Sequence, residues 1–168
     1  MEEYIDLIDD NKNNTGIVIP RSKAKDLPDG HHVLVSALLV RNSDNKIMMQ
    51  LTSKSKDSIL SLPSGWVLHG ENSRDTIARE MHEEQGLIIN KNEIVLVEER
   101  LSNRTAFFDI YYLKADFKKE DMVLQAEEVE DVIWMSPDEI FSAYGKGKVR
   151  KSSVDSIRNF FNSSFNVD

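Results

Sequence analysis

The run VLVSALLV, Val33 to Val40, constrains the fold more than any other stretch of the chain. A half-buried strand alternates apolar and polar side chains, but here apolar residues fall on both faces. The segment therefore reads as a central strand that needs a packed layer on each side. The turn RNSDNK (41–46) leads to IMMQL (47–51), a hairpin partner. Further strands are expected at 93–100, 106–117 and 129–135, with short ones at 3–8 and at 17–19, where Pro20 stops the run. The asparagine-rich stretch 9–16 and LPDG (27–30) read as turns. Ser136-Pro137-Asp138-Glu139 combines an N-cap serine, a first-turn proline and a capping-box glutamate, starting a helix that runs to Tyr144. A last amphipathic helix begins near Ser153, with Val154, Ile157, Phe160 and Phe161 on one side. Mixed strands with interspersed helices indicate an α/β (α+β) sandwich, and 168 residues suit one domain, with residues 1–30 as an N-terminal β extension.

Charge narrows the function. Lysine and arginine total 21 against 29 acids, a formal net charge of -8. A generic nucleic-acid binder leans the other way, although bound divalent cations can reverse the local sign for a phosphorylated ligand. There is no cysteine, which removes disulfides, thiolate zinc sites and cysteine nucleophiles and fits a reducing compartment. The acidic start MEEYIDLIDD is unlike a secretory signal, and no apolar run approaches the roughly 20 residues of a membrane helix. A soluble, cytoplasmic protein with no nucleic-acid or membrane partner is expected.

The chemistry is concentrated in LPSGWVLHGENSRDTIAREMHEEQGL (62–87). Asn72 or Ser73 can cap a helix there, Asp75 complements its dipole, and Gly86 can end it in a left-handed conformation. At about 100° per residue, Ile77, Ala78 and Met81 share one side while Glu80, Glu83 and Glu84 share another. Arg79 precedes Glu83 by one turn and can orient it. Clustered carboxylates repel one another unless a cation compensates, and hard oxygen donors suit Mg²⁺ or Mn²⁺ shared with substrate phosphates. Read by itself, such a face is usually just solvated.

The whole pattern decides otherwise. The stretch resembles the Nudix box, G-x5-E-x7-R-E-U-x-E-E-x-G-U with U apolar, and Gly65, Glu71, Arg79, Glu80, Met81, Glu83, Glu84, Gly86 and Leu87 fill every fixed position. The resemblance implies a Nudix fold, a mixed β-sheet sandwiched between α-helices, over residues 31–168 with the box at 65–87. It also implies hydrolysis of a nucleoside diphosphate linked to another moiety. Carried over by position, Glu80, Glu83 and Glu84 are metal ligands, joined by the Ser64 carbonyl. Arg79 orients them and Glu71 braces loop against helix. The base varies in this family, so Glu83, Glu84 and a later glutamate, Glu127 or Glu128, stay open, Glu128 being the one put forward. The ligand is a small phosphorylated molecule.

From residue 3 to 115 the chain also resembles the isopentenyl diphosphate isomerase branch of that family. Aligned through Gly65, the catalytic cysteine of that branch falls on Ser64 and a metal-binding histidine on Trp66. His32 matches another histidine ligand, while two remaining partners are missing. The departures favour hydrolysis, with isomerase-like activity as one alternative and a non-catalytic nucleotide sensor as another.

Several residues carry two readings. His69 sits in the box loop and can touch substrate; Trp66 can stack on a base or anchor the loop; Lys54 and Lys56 can contact phosphates or simply be solvated. His31 and His32 open a strand and read as capping or partly buried, and His82 as solvent-facing. Phe107, Phe108, Tyr111 and Tyr112 alternate in pairs, giving a core face and a second face for a pocket wall or a subunit contact, which leaves a homodimer open.

Overall fold

The computed structural model describes residues 1–102 and 105–165. The central run forms β3 (Val33–Arg41), after a separate N-terminal hairpin of β1 (Tyr4–Ile8) and β2 (Asn14–Pro20). Then come β4 (Ile47–Thr52), the short β5 (Leu60–Ser61) and β6 (Ser64–Trp66), and helix α1 (Ser73–Gln85). Strands β7 (Val95–Ser102), β8 (Ala106–Lys114) and β9 (Val129–Met135) follow, with helices α2 (Pro137–Gly145) and α3 (Lys151–Phe161) at the end. Both late helices begin as their sequences require at least in part: Ser136 and Glu139 close a reciprocal capping box with Pro137 in the first turn, whereas Arg150 caps α3 without a side-chain bond.

β3 lies in the middle of a mixed seven-stranded sheet. It runs parallel to β8 from Val33↔Ala106 to Arg41↔Lys114, and antiparallel to β6 on its other side. Both faces are covered, as its composition requires. Leu38 and Val40 join Ile77 and Met81 of α1, and Leu39 joins Ile140 of α2 and Val154, Ile157 and Phe160 of α3.

The expected hairpin between β3 and β4 is only one rung long, Arg41↔Ile47. Beyond it the strands part, because β4 takes β9 along its length and β5 at its end, while the β6 loop occupies the vacated edge of β3. This parting opens the cleft described below. β8 has the core face expected of it, and on its other face Phe108 lines the cleft as a pocket wall. Tyr111 is in the α1 core, Tyr112 stacks on Phe160 at 4.7 Å, and Phe107 meets the His32 ring edge-on. No helix among the described residues is long and apolar enough to cross a membrane.

The β1–β2 hairpin packs Ile5 and Leu7 on Val33 and Val35. Buried His32, reading as expected, meets Asp10 of the hairpin at 2.7 Å. Lys12 reaches the buried Asp109 at 2.6 Å, and Asp109 accepts from Ser73 at the start of α1 at 2.6 Å. The hairpin is thus pinned to the sheet and to the helix that carries the acids.

Candidate active site

Helix α1 is fixed at both ends by its own residues. The Asn72 side chain accepts from the Asp75 N–H at 2.8 Å, and Gly86 adopts φ 69° so that its N–H reaches the His82 carbonyl while Leu87 reaches that of Met81. The last carbonyls are used as well: Val123 N–H donates to Gln85 at 3.0 Å and Gln125 N–H to Glu84 at 2.9 Å. Those two bonds bring the distal segment against the helix, and with it Glu128. Gly86 serves this approach, since a Cβ there would stand 2.9 Å from the Val123 nitrogen.

Arg79 organises the acids. Its Nε and Nη2 donate to the two carboxylate oxygens of Glu71 at 2.9 and 3.2 Å, and its Nη1 reaches Glu80 at 3.2 Å and Glu83 at 3.1 Å. Buried Thr76 donates to Glu71 at 2.6 Å, completing the brace between loop and helix. The glutamate arc is therefore split. Glu83 turns onto Arg79, while Glu80, which also touches Arg79, lies beside Glu84.

Burial dominates the electrostatics of that pair. It raises the Glu80 carboxyl above its ordinary range, against the pull of Arg79. Burial, the neighbouring Glu80 charge and Glu128 push Glu84 up to about 8. Two carboxyls are thus held at close quarters with insufficient compensating charge. That is the donor set a hard divalent cation fits, one that relieves burial and repulsion together. Among the described residues no three acidic or histidine side chains already stand in a ligating arrangement.

The loop opposite is shaped for close approach. β6 lays Gly65 over Glu80 so tightly that a Cβ would overlap the Glu80 side chain. In the antiparallel register Ser64 pairs with Ala37 between the bonded rungs, which are marked by Leu38 N–H to Pro63 and Val67 N–H to Leu34. The Ser64 carbonyl consequently points away from β3.

These groups border an open cleft of ≈ 1130 Å³. Of the residues singled out in the sequence, Ser64, Trp66, Arg79, Glu80, Glu83, Glu84 and Glu128 line it, as does Lys56. Lys56 pairs with Glu128 at 3.1 Å. His69 and Lys54 are not among its lining residues. His69 meets Asp6 of β1 at 2.8 Å, and Lys54 is well exposed, 3.9 Å from Glu130. Trp66 carries the Arg21 guanidinium over its ring at 4.8 Å and packs on the hairpin core.

Sequence reasoning missed Gln50, Gln125, Arg21 and Arg150, all of which line the cleft. Only Gln50 left a trace, as the one polar residue inside the apolar run IMMQL. The basic side chains are brought in by tertiary packing: Arg150 holds Asp57 at 2.5 Å, and Arg21 pairs with Glu3 at 2.7 Å.

Comparison with known proteins agrees with this geometry. A family model described as the NUDIX domain matches residues 30–158. A Nudix hydrolase of Listeria monocytogenes is 27% identical over 175 residues, covering 99% of this chain and 95% of the relative. One from Listeria innocua is 26% identical over 155 residues, 88% of each chain. Among solved structures, DR0079 from Deinococcus radiodurans superposes with a TM-score of 0.78 at 18% identity, over 94% of this chain and 98% of that one. A C. elegans Ap4A hydrolase binary complex gives 0.52 at 14% identity, over 76% and 98%. At these identities the two structures speak for the fold.

Proposed function

The chain belongs to the NUDIX family and is a pyrophosphohydrolase, and on that premise we propose that it uses Mg²⁺ or Mn²⁺ to cleave the diphosphate of a small phosphorylated metabolite, a nucleoside diphosphate linked to another moiety. The observation that carries the metal dependence is the buried pair Glu80 and Glu84 beneath Gly65. Glu80, Glu83 and Glu84 with the Ser64 carbonyl would hold the cation. Bound there, it supplies Lewis-acid stabilisation of the phosphoryl oxygens and a lowered pKa for water.

The remaining work falls to this chain's own groups. Arg79 keeps Glu80 and Glu83 oriented through its fork to Glu71, so little reorganisation is needed when charge develops. A carboxylate at the same rim takes the proton of the attacking water. Glu128 is favoured over Glu83 and Glu84 because it comes from a separate segment, abuts Glu84 and is fixed by Lys56. Arg21, Lys56 and Arg150 line the same cleft and complement substrate phosphates. Trp66, His69 and Lys54 are left with supporting parts, Trp66 as the surface on which Arg21 rests.

Isomerase chemistry is not favoured. It needs an acid–base group at position 64 that moves a proton between carbons, and a serine hydroxyl is far too weak an acid for that. A sensor would have no use for the intact carboxylate set.

The test is a panel of phosphorylated metabolites incubated with Mg²⁺ or Mn²⁺, with products identified. Glu80→Gln and Glu84→Gln should each lower turnover by at least about 10²-fold without loss of fold. Turnover that survives in both variants, or that needs no divalent ion, would refute the proposal.

A further inference from the structure

The buried face of α1 repeats every fourth residue as Ser73, Ile77, Met81 and Gln85. The last of these is an amide in a row where an aliphatic side chain would pack without penalty. Gln85 is 0% exposed, and its Nε2 donates to Oε1 of Gln50 at 3.0 Å. Gln50, on β4 and 5% exposed, lines the cleft together with Glu84 and favours the ionised form of its carboxyl.

The direction of this chain of bonds is dictated by its end. In the ionised state that binds a cation the Glu84 carboxylate accepts only, so Gln50 must offer it the NH₂ group. That leaves the Gln50 oxygen facing Gln85, which must in turn donate. The Gln85 oxygen is then left over, and it is indeed buried without a hydrogen-bond partner. An unsatisfied buried carbonyl costs stability, and an aliphatic residue of similar volume would not carry one. Packing alone does not explain an amide here. A requirement to donate does.

We propose that Gln85 and Gln50 form a buried amide relay that fixes the orientation of the Glu84 carboxylate, making both of them positioning residues for the metal-binding pair. The inference rests on the metal-dependent reading of the site. Gln50 touches Glu84 from the sheet, and Gln85 acts only through Gln50. The carboxylate is thereby held from β4 as well as from its own helix.

A double-mutant cycle read by Mn²⁺ binding, with calorimetric titration and a melting curve on each metal-free protein, tests this. Gln85→Leu should weaken Mn²⁺ affinity about 10-fold, the lower end of losses from residues that orient metal ligands, while the melting temperature changes little, because the orphaned Gln85 carbonyl is gone but that of Gln50 loses its donor. Gln50→Leu should weaken affinity at least as much. Adding Gln85→Leu to Gln50→Leu should change it no further. Gln85→Met provides the same test with a more flexible side chain should leucine not be accommodated. Equal Mn²⁺ affinity in wild type and the variants, or a Gln85 effect of the same size with and without Gln50, would overturn the relay alone. A wild type that binds no Mn²⁺ would overturn the metal reading beneath it.

Discussion

Arg79 and Glu71 are joined by two parallel hydrogen bonds across the junction of loop and helix, Nε to Oε1 at 2.9 Å and Nη2 to Oε2 at 3.2 Å. The remaining arm of the guanidinium is thereby free to reach the glutamates. One planar group thus spans the brace and the site, which a single ammonium cannot do.

Arg79→Ala should weaken apparent Mn²⁺ affinity about 10–100-fold, and Arg79→Lys should recover little of it, because lysine cannot make the fork and still reach Glu83. Calorimetric titration of the three proteins checks this. Equal affinities would deny Arg79 its orienting part.

Gly65→Ala should place a methyl group inside the space of the Glu80 side chain and displace that carboxylate. Misplacement of an active group by about 1 Å can cost about 10²-fold in rate, so turnover should fall by that order with the melting temperature little changed. Wild-type turnover in the folded variant would show that Glu80 need not stay where it lies.

Ser64→Ala should retain most of the hydrolytic activity, since the backbone carbonyl is the proposed ligand and the register that directs it away from β3 does not depend on the hydroxyl. The wild type should give no dimethylallyl diphosphate from isopentenyl diphosphate. Product analysis with Mg²⁺ on both substrates decides it, and isomerised product lost in Ser64→Ala would favour the isomerase alternative.

The acidic pair makes a pH-dependent contribution whose sign is fixed. Glu84 sits at about 8 against an ordinary 4.5, and Glu80 is raised too, so the folded metal-free chain favours their protonated forms. That contribution is therefore lost as pH rises from about 4.5 through about 8 and is flat above. Mn²⁺, which binds the ionised pair, should raise the melting temperature more at about pH 8 than at about pH 5.5, and Glu84→Gln should flatten the metal-free pH slope. Melting curves across that range, with and without Mn²⁺, provide the measurement. A wild-type slope unchanged in Glu84→Gln would remove Glu84 as its source.

Local chemistry made much of this legible in advance. The two-faced run 33–40 implied a covered central strand, and Asn72, Gly86 and the Ser136–Glu139 box marked helix ends that the structure bears out. The positions of Glu80, Glu84 and Arg79 followed from helical spacing. What the sequence hid was tertiary. Nothing local says that β4 leaves β3 after one rung, since the turn at 41–46 suits a continuous hairpin equally well. The pairing of Glu83 with Arg79, by contrast, followed from their one-turn spacing. Arg21 and Arg150 reach the cleft from opposite ends of the chain, a placement no window of sequence contains.

The parallel ladder between β3 and β8 has a consequence for how the protein is made. Residues 33–41 must wait for 106–114 to be synthesised before the longest row of bonds to the central strand can close. During that interval an apolar segment with two sticky faces is already outside the ribosome, and such non-local pairings form slowly. Early cover is available from the hairpin ahead of it, whose Ile5 and Leu7 reach Val33 and Val35. Nascent chains lacking residues 1–25 should therefore be more prone to clump during translation than nascent chains of the same length of synthesis that carry them.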